Sequence, residues 1–97
     1  MTMHNPPHPG EFIREIYLVP FLLSARQVAA KLRVSPSTFN RILTRDSGVT
    51  PEMALRLAKT LGRSPESWLA MQYNYDLWVA RQKVNLKGVE RLELPAA

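Results

Sequence analysis

Ala25-Arg26-Gln27-Val28-Ala29-Ala30-Lys31-Leu32-Arg33-Val34-Ser35-Pro36-Ser37-Thr38-Phe39-Asn40-Arg41-Ile42-Leu43-Thr44 reads as one helix, a tight turn and a second helix. Two short helices packed at a steep angle need a small residue where they cross, and Ala29 supplies it. Val34 closes the turn, and Phe39 and Ile42, three apart, aim the apolar stripe of the second helix at the core. Ser35 is an N-cap, with Pro36 at the first helical position. The turn position that is often glycine carries Arg33. A left-handed backbone there costs an arginine about 1 kcal/mol, so either the turn geometry shifts or a phosphate contact offsets the cost.

Ser37, Thr38, Asn40, Arg41, Thr44 and Arg45 remain on the outward side of the second helix, all polar and none acidic. The helical pair lies within a thirty-residue stretch, Ile16 to Arg45, that holds five cations and no acid. Charge alone would also suit a solvated basic face on an ordinary helix pair. The helix–turn–helix spacing favours a duplex, where each cation on a phosphate releases counterions and each acid would be repelled. Pro36, Ser37, Asn40 and Arg41, at the start of the second helix, are therefore the residues expected at base edges. Ser24, Arg26, Lys31, Thr38, Thr44 and Arg45 are expected at phosphates.

Composition agrees with these local signals. Ninety-seven residues, 45% of them apolar, make one folded domain with a modest core. A net charge of +5 and a pI near 10.1 point to polyanionic partners, although a basic balance also suits anionic membranes. No apolar run approaches the roughly 20 residues of a membrane span, so no membrane partner is expected. The N-terminus lacks the apolar segment of a signal peptide, and there are no cysteines, which fits a cytoplasmic location.

Five helices follow from periodicity and caps. Residues 1–8 form a polar arm, expected to be flexible. Pro9 opens a first helix to about Leu18, with Phe12, Ile13, Ile16 and Tyr17 as its apolar face, and Val19-Pro20 breaks it. Ser24 caps the second helix and Ser35 the third. Asp46-Ser47-Gly48 is a turn. Thr50-Pro51-Glu52 starts a fourth helix with Met53, Leu55, Leu57, Ala58 and Leu61 inward, and Gly62 stops it. Ser64-Pro65-Glu66 starts the fifth, which reaches about Lys83. Residues 9–83 thus form one all-α domain. Residues 84–97 are a tail whose Val84, Leu86, Leu92 and Leu94 alternate in part around Lys87-Gly88; it can pair as a strand, extend a neighbouring subunit or stay loose.

The fifth helix carries two apolar stripes. Trp68, Met71, Tyr75 and Trp78 form one, suited to the core; Leu69, Tyr73 and Leu77 form another at an angle to it. The second is expected to be a self-complementary interface, the bland alternative being a broad core face with partly wet aromatics. A homodimer also suits the duplex reading, since two-fold dimers on palindromic sites extend the reach of one short helix.

Nothing in the chain points to catalysis, a cofactor or a metal. His4 and His8 have no cysteine or paired carboxylate near them and read as solvated. Glu11 and Glu15 read as a solvent face on the first helix. There is no phosphate-cradling glycine loop and no nucleophile motif.

The chain resembles a family. His8-Pro9-Gly10-Glu11, Ser35-Pro36-Ser37-Thr38 with Arg41-Ile42-Leu43, Thr50-Pro51-Glu52-Met53-Ala54-Leu55-Arg56-Leu57-Ala58, and Trp68-Leu69 with Tyr75-Asp76-Leu77-Trp78 are similar to the HigA/VapI-type antitoxins of the Xre (Cro/CI) helix-turn-helix class. The likeness covers roughly residues 8–82. It implies a compact five-helix domain of the lambda-repressor-like type, a dimer that binds and represses its own operator, and a partner toxin, a small HigB/RelE-like mRNA endonuclease. A free-standing Xre-type repressor without a toxin fits the helix–turn–helix equally well. The protein is itself basic with only short tails, so a toxin would be held by a folded surface rather than by an acidic wrap.

Overall fold

Four helix starts in this chain share one local device, a side-chain oxygen cap followed or closely trailed by backbone N–H groups that need it. Ser24, Ser35, Thr50 and Ser64 each accept a hydrogen bond from the backbone N–H three residues on. Pro36, Pro51 and Pro65 follow the last three caps at the first helical position, where a missing N–H costs nothing. At Ser24 the cap is reciprocal, because Gln27 Oε1 accepts from the Ser24 N–H at 2.8 Å.

The computed structural model describes residues 5–96, and among them there are five helices and no strand. Helix α1 (Pro9–Ile13) continues as one wide turn over Arg14–Leu18, followed by α2 (Ala25–Leu32), α3 (Pro36–Leu43), α4 (Pro51–Leu61) and α5 (Pro65–Lys83). The all-α expectation holds.

The core gathers Ile13, Leu18, Val28, Ala29, Leu32, Phe39, Ile42, Leu57 and Trp68, contributed by every helix. Ala29 is fully buried at the α2–α3 crossing, as its size requires. The closest backbone approach lies elsewhere, where Gly10 packs on α3: a methyl group there would clash with the Ile42 carbonyl and sit 2.8 Å from Leu43 Cα. Trp68 is fully buried, its Nε1 donating to the Gly62 carbonyl at 2.9 Å. The Arg63 guanidinium lies 5.0 Å from the Phe12 ring centroid and 5.8 Å from that of Trp68, covering the aromatic group from outside.

Two apolar faces differ from expectation. Ile16 is exposed, and Leu18 takes the buried place. The cause is the wide turn: Val19 N–H bonds to Arg14 C=O, five residues back rather than four, so the inward position after Ile13 falls at Leu18. In α4, Leu55 is exposed and Ala54 is buried, because positions 53, 54, 57, 58 and 61 follow the helical period and 55 does not.

The N-terminal arm is also corrected. Pro6 and His8 are buried, so the packed part of the chain starts ahead of Pro9. His8 is not a solvated histidine: its Nδ1 accepts the Gly10 N–H at 2.9 Å and caps α1. Its ring meets Tyr75 edge-on, with centroids 4.9 Å apart. His4 lies outside the described residues.

Candidate nucleic-acid interface

The turn between α2 and α3 keeps the usual geometry in spite of its arginine. Arg33 adopts φ 62° and ψ 41°, the left-handed region. Its N–H bonds to the Ala30 carbonyl, and the Val34 N–H reaches the Ala29 carbonyl at 3.1 Å, the paired bonds that close a helix on a left-handed residue. Arg56 adds a tie that periodicity did not reveal. Its Nη1 donates to the Leu32 carbonyl at 2.8 Å, while Glu52 Oε2 accepts from its Nε and Nη2 at 3.2 and 3.0 Å. The left-handed turn at Arg33 is therefore braced by hydrogen bonds within the protein.

The exposed edge of this hairpin presents the residues singled out from sequence. Pro36, Ser37, Asn40 and Arg41 are all exposed along α3. Phe39, Ile42 and Leu43 are buried behind them, which fixes how α3 is rotated about its axis. Ser24 and Arg26 are exposed at the start of α2, beside the N–H groups of its first turn, and Lys31 is exposed in its last turn. Thr38 is exposed, with its Oγ1 accepting from Ser35 Oγ at 2.8 Å, so its own proton is free to donate. Arg45 is exposed just past α3, at φ 68°.

Thr44 is the exception. Its Oγ1 lies 3.0 Å from the Asn40 carbonyl and 2.8 Å from Asp46 Oδ2. A hydroxyl has one proton, and both neighbours are acceptors, so the proton serves one of them here. The Asp46 carboxylate beside it would repel a phosphate. In this arrangement the Thr44 hydroxyl proton is directed within the protein.

Three side chains far apart in sequence hold α3 in place. Arg14 Nη2 donates to the Leu43 carbonyl at 2.8 Å, satisfying the C-terminal end of α3. Gln72 of α5 is buried; its Oε1 accepts the Val49 N–H at 2.8 Å and its Nε2 donates to Asp76 Oδ1 at 2.9 Å. His8 packs nearby on α5, its ring edge-on to Tyr75. Burial pushes its pKa below the ordinary histidine value; Asp76 pulls upward and Arg45 downward.

The fifth helix departs from its two stripes at Leu69. Trp68 is buried and Met71, Tyr75 and Trp78 are half-buried. Leu69 packs against the core, whereas Tyr73 and Leu77 are exposed.

A rigid hairpin with an acid-free, amide- and guanidinium-bearing edge is the apparatus of helix-turn-helix proteins. Residues 23–68 match the helix-turn-helix domain family. The chain is 49% identical over 75 residues to virulence-associated protein I of Dichelobacter nodosus, covering 77% of this chain and 69% of that protein. Antitoxin GraA superposes with a TM-score of 0.85 at 40% identity, covering 90% of this chain and 97% of that one. The Pseudomonas aeruginosa antitoxin HigA, solved with the higBA promoter, superposes with a TM-score of 0.75 at 35% identity, covering 79% and 84%. This chain belongs to the HigA/VapI-type antitoxins of the Xre (Cro/CI) helix-turn-helix family. No described helix is long and apolar enough to cross a membrane.

Proposed function

We propose that this chain is the antitoxin of a type II toxin–antitoxin pair, binding its operator as a homodimer and repressing its own operon. The observation that carries the reading is the outward edge of α3, where Ser37, Asn40 and Arg41 stand exposed over a buried Phe39–Ile42–Leu43 face. Such a helix enters the major groove at its N-terminal end, with Pro36 beside the base edges. Arg41 can grip a guanine and Asn40 an adenine through two hydrogen bonds each. Ser24, Arg26, Lys31, Thr38 and Arg45 flank it and take phosphates. The promoter complex of the related HigA supports DNA as the partner. Operator DNA in turn implies the cytoplasm, and the family implies a regulator rather than an enzyme.

Two α5 helices joining through Leu69, Tyr73 and Leu77 would set two copies of α3 about 34 Å apart, one turn of DNA. The toxin follows from family membership: a small HigB/RelE-like mRNA endonuclease held by a folded surface. Co-expression with the protein encoded beside this gene tests it directly. A stable complex that restores growth is the expected result. If the chain represses its promoter but no neighbouring product binds, it is a free-standing Xre-type repressor.

A further inference from the structure

The segment after α5 leaves more apolar surface in water than a single copy of this chain can account for. Val84 ends α5 in an extended conformation, and every residue from 84 to 96 is exposed. Val84, Leu86, Val89, Leu92 and Leu94 are 56–77% exposed, and on α5 itself Tyr73 is 65% and Leu77 49% exposed. Seven such side chains, each presenting on the order of 100 Å², come to about 700 Å², close to the roughly 800 Å² per partner that a stable interface buries.

Tyr73, Leu77, Val84 and Leu86 share one surface. Tyr73, Asp76, Leu77 and Ala80 line a shallow apolar depression along α5. A second depression continues it through Leu77, Ala80, Arg81, Val84 and Leu86. The segment is also shaped rather than random: Lys87 N–H bonds to Asn85 Oδ1 at 2.9 Å, and Val89 N–H to the Leu86 carbonyl at 2.9 Å, closing a turn ahead of Leu92 and Leu94.

We propose that residues 84–96 of each protomer seat on α5 of a second copy, filling its Tyr73–Ala80 depression with Val89, Leu92 and Leu94. The inference rests on the dimer reading above and specifies what completes the interface. Two antiparallel α5 helices meeting near Leu77 bring the chain that follows Lys83 alongside Tyr73 of the second copy. The exchanged segment then covers apolar side chains that the helix pair alone would leave wet, and its own exposed backbone gains partners.

The chain has no cysteine, which makes cross-linking clean. Tyr73→Cys protein mixed with Leu92→Cys protein should give a heterodimer with a short bis-maleimide; a pattern with only like-to-like products would overturn the proposal. In the full chain, Leu92→Asp with Leu94→Asp should keep the helical circular dichroism and weaken the dimer at least tenfold by sedimentation. A dimer of undiminished affinity in that variant would sink the exchanged segment while leaving the helix pair standing. A native protein that is monomeric at micromolar concentration would sink both.

Discussion

Gln72 on α5 accepts the backbone N–H of Val49 through Oε1 at 2.8 Å, joining the helix of the proposed dimer face to the segment that follows α3. Gly48 lies against the same side chain, where an added methyl would come within 2.8 Å of Gln72 Cδ. Any shift of α5 is therefore felt directly at the segment that follows α3.

Gln72→Met keeps the volume but leaves the buried Val49 N–H without an acceptor. An unpaired buried donor costs about 1–3 kcal/mol, so the urea midpoint should fall accordingly. A variant as stable as the parent would mean that water or a shifted side chain takes over the N–H.

His8 should make stability depend on pH. Its pKa in the folded protein is lowered, chiefly by burial, with Arg45 acting the same way and Asp76 and Glu11 opposing. The unfolded chain then takes up the proton first. The contribution is complete above the ordinary value of about 6.5 and is lost as pH falls from there through the folded value. Urea midpoints should decline between pH 7.5 and 5.5. His8→Asn, which can still cap α1 but does not titrate, should flatten that decline.

Gly10→Ala drives a methyl into the Ile42 carbonyl, and neither backbone can give without moving α1 off α3. Overpacking of this kind costs roughly 1–3 kcal/mol. Thermal unfolding should show the loss, and operator affinity should fall with it because α3 shifts.

Arg41 and the α2 cations should separate base reading from backbone holding. Arg41→Ala should relax preference at one base position, at a cost of about 1–3 kcal/mol in discrimination, and keep most non-specific binding. Arg26→Ala or Lys31→Ala should weaken all sequences alike and lower the salt slope by about one unit. A uniform loss from Arg41→Ala with base preference intact would show that the reading face is misassigned.

Replacing Leu77 with Glu puts a charge into the proposed two-fold contact while leaving the core untouched, since Leu77 is exposed in the protomer. Folded monomers with poor operator binding are expected by sedimentation and gel shift. An unchanged dimer would place the interface elsewhere.

The helix starts at Ala25, Pro36, Pro51 and Pro65 were legible because a cap and the first turn, with a proline at the last three, act within four residues of one another. The rotation of α3 was legible too, since Phe39 and Ile42 declare its buried side and leave Asn40 and Arg41 outward. The sequence by itself thus determined the five helices and the acid-free edge. What it did not contain is contact across space. Arg56 reaches the Leu32 carbonyl 24 residues away and Gln72 reaches Val49 23 residues away, and neither has a periodic signature. The five-residue turn that exposes Ile16 depends on how α1 seats against α3 and Trp68, and the burial of His8 depends on Tyr75. Those were decided only by the tertiary structure, because a buried polar group takes whichever partner the packed helices bring within hydrogen-bonding distance.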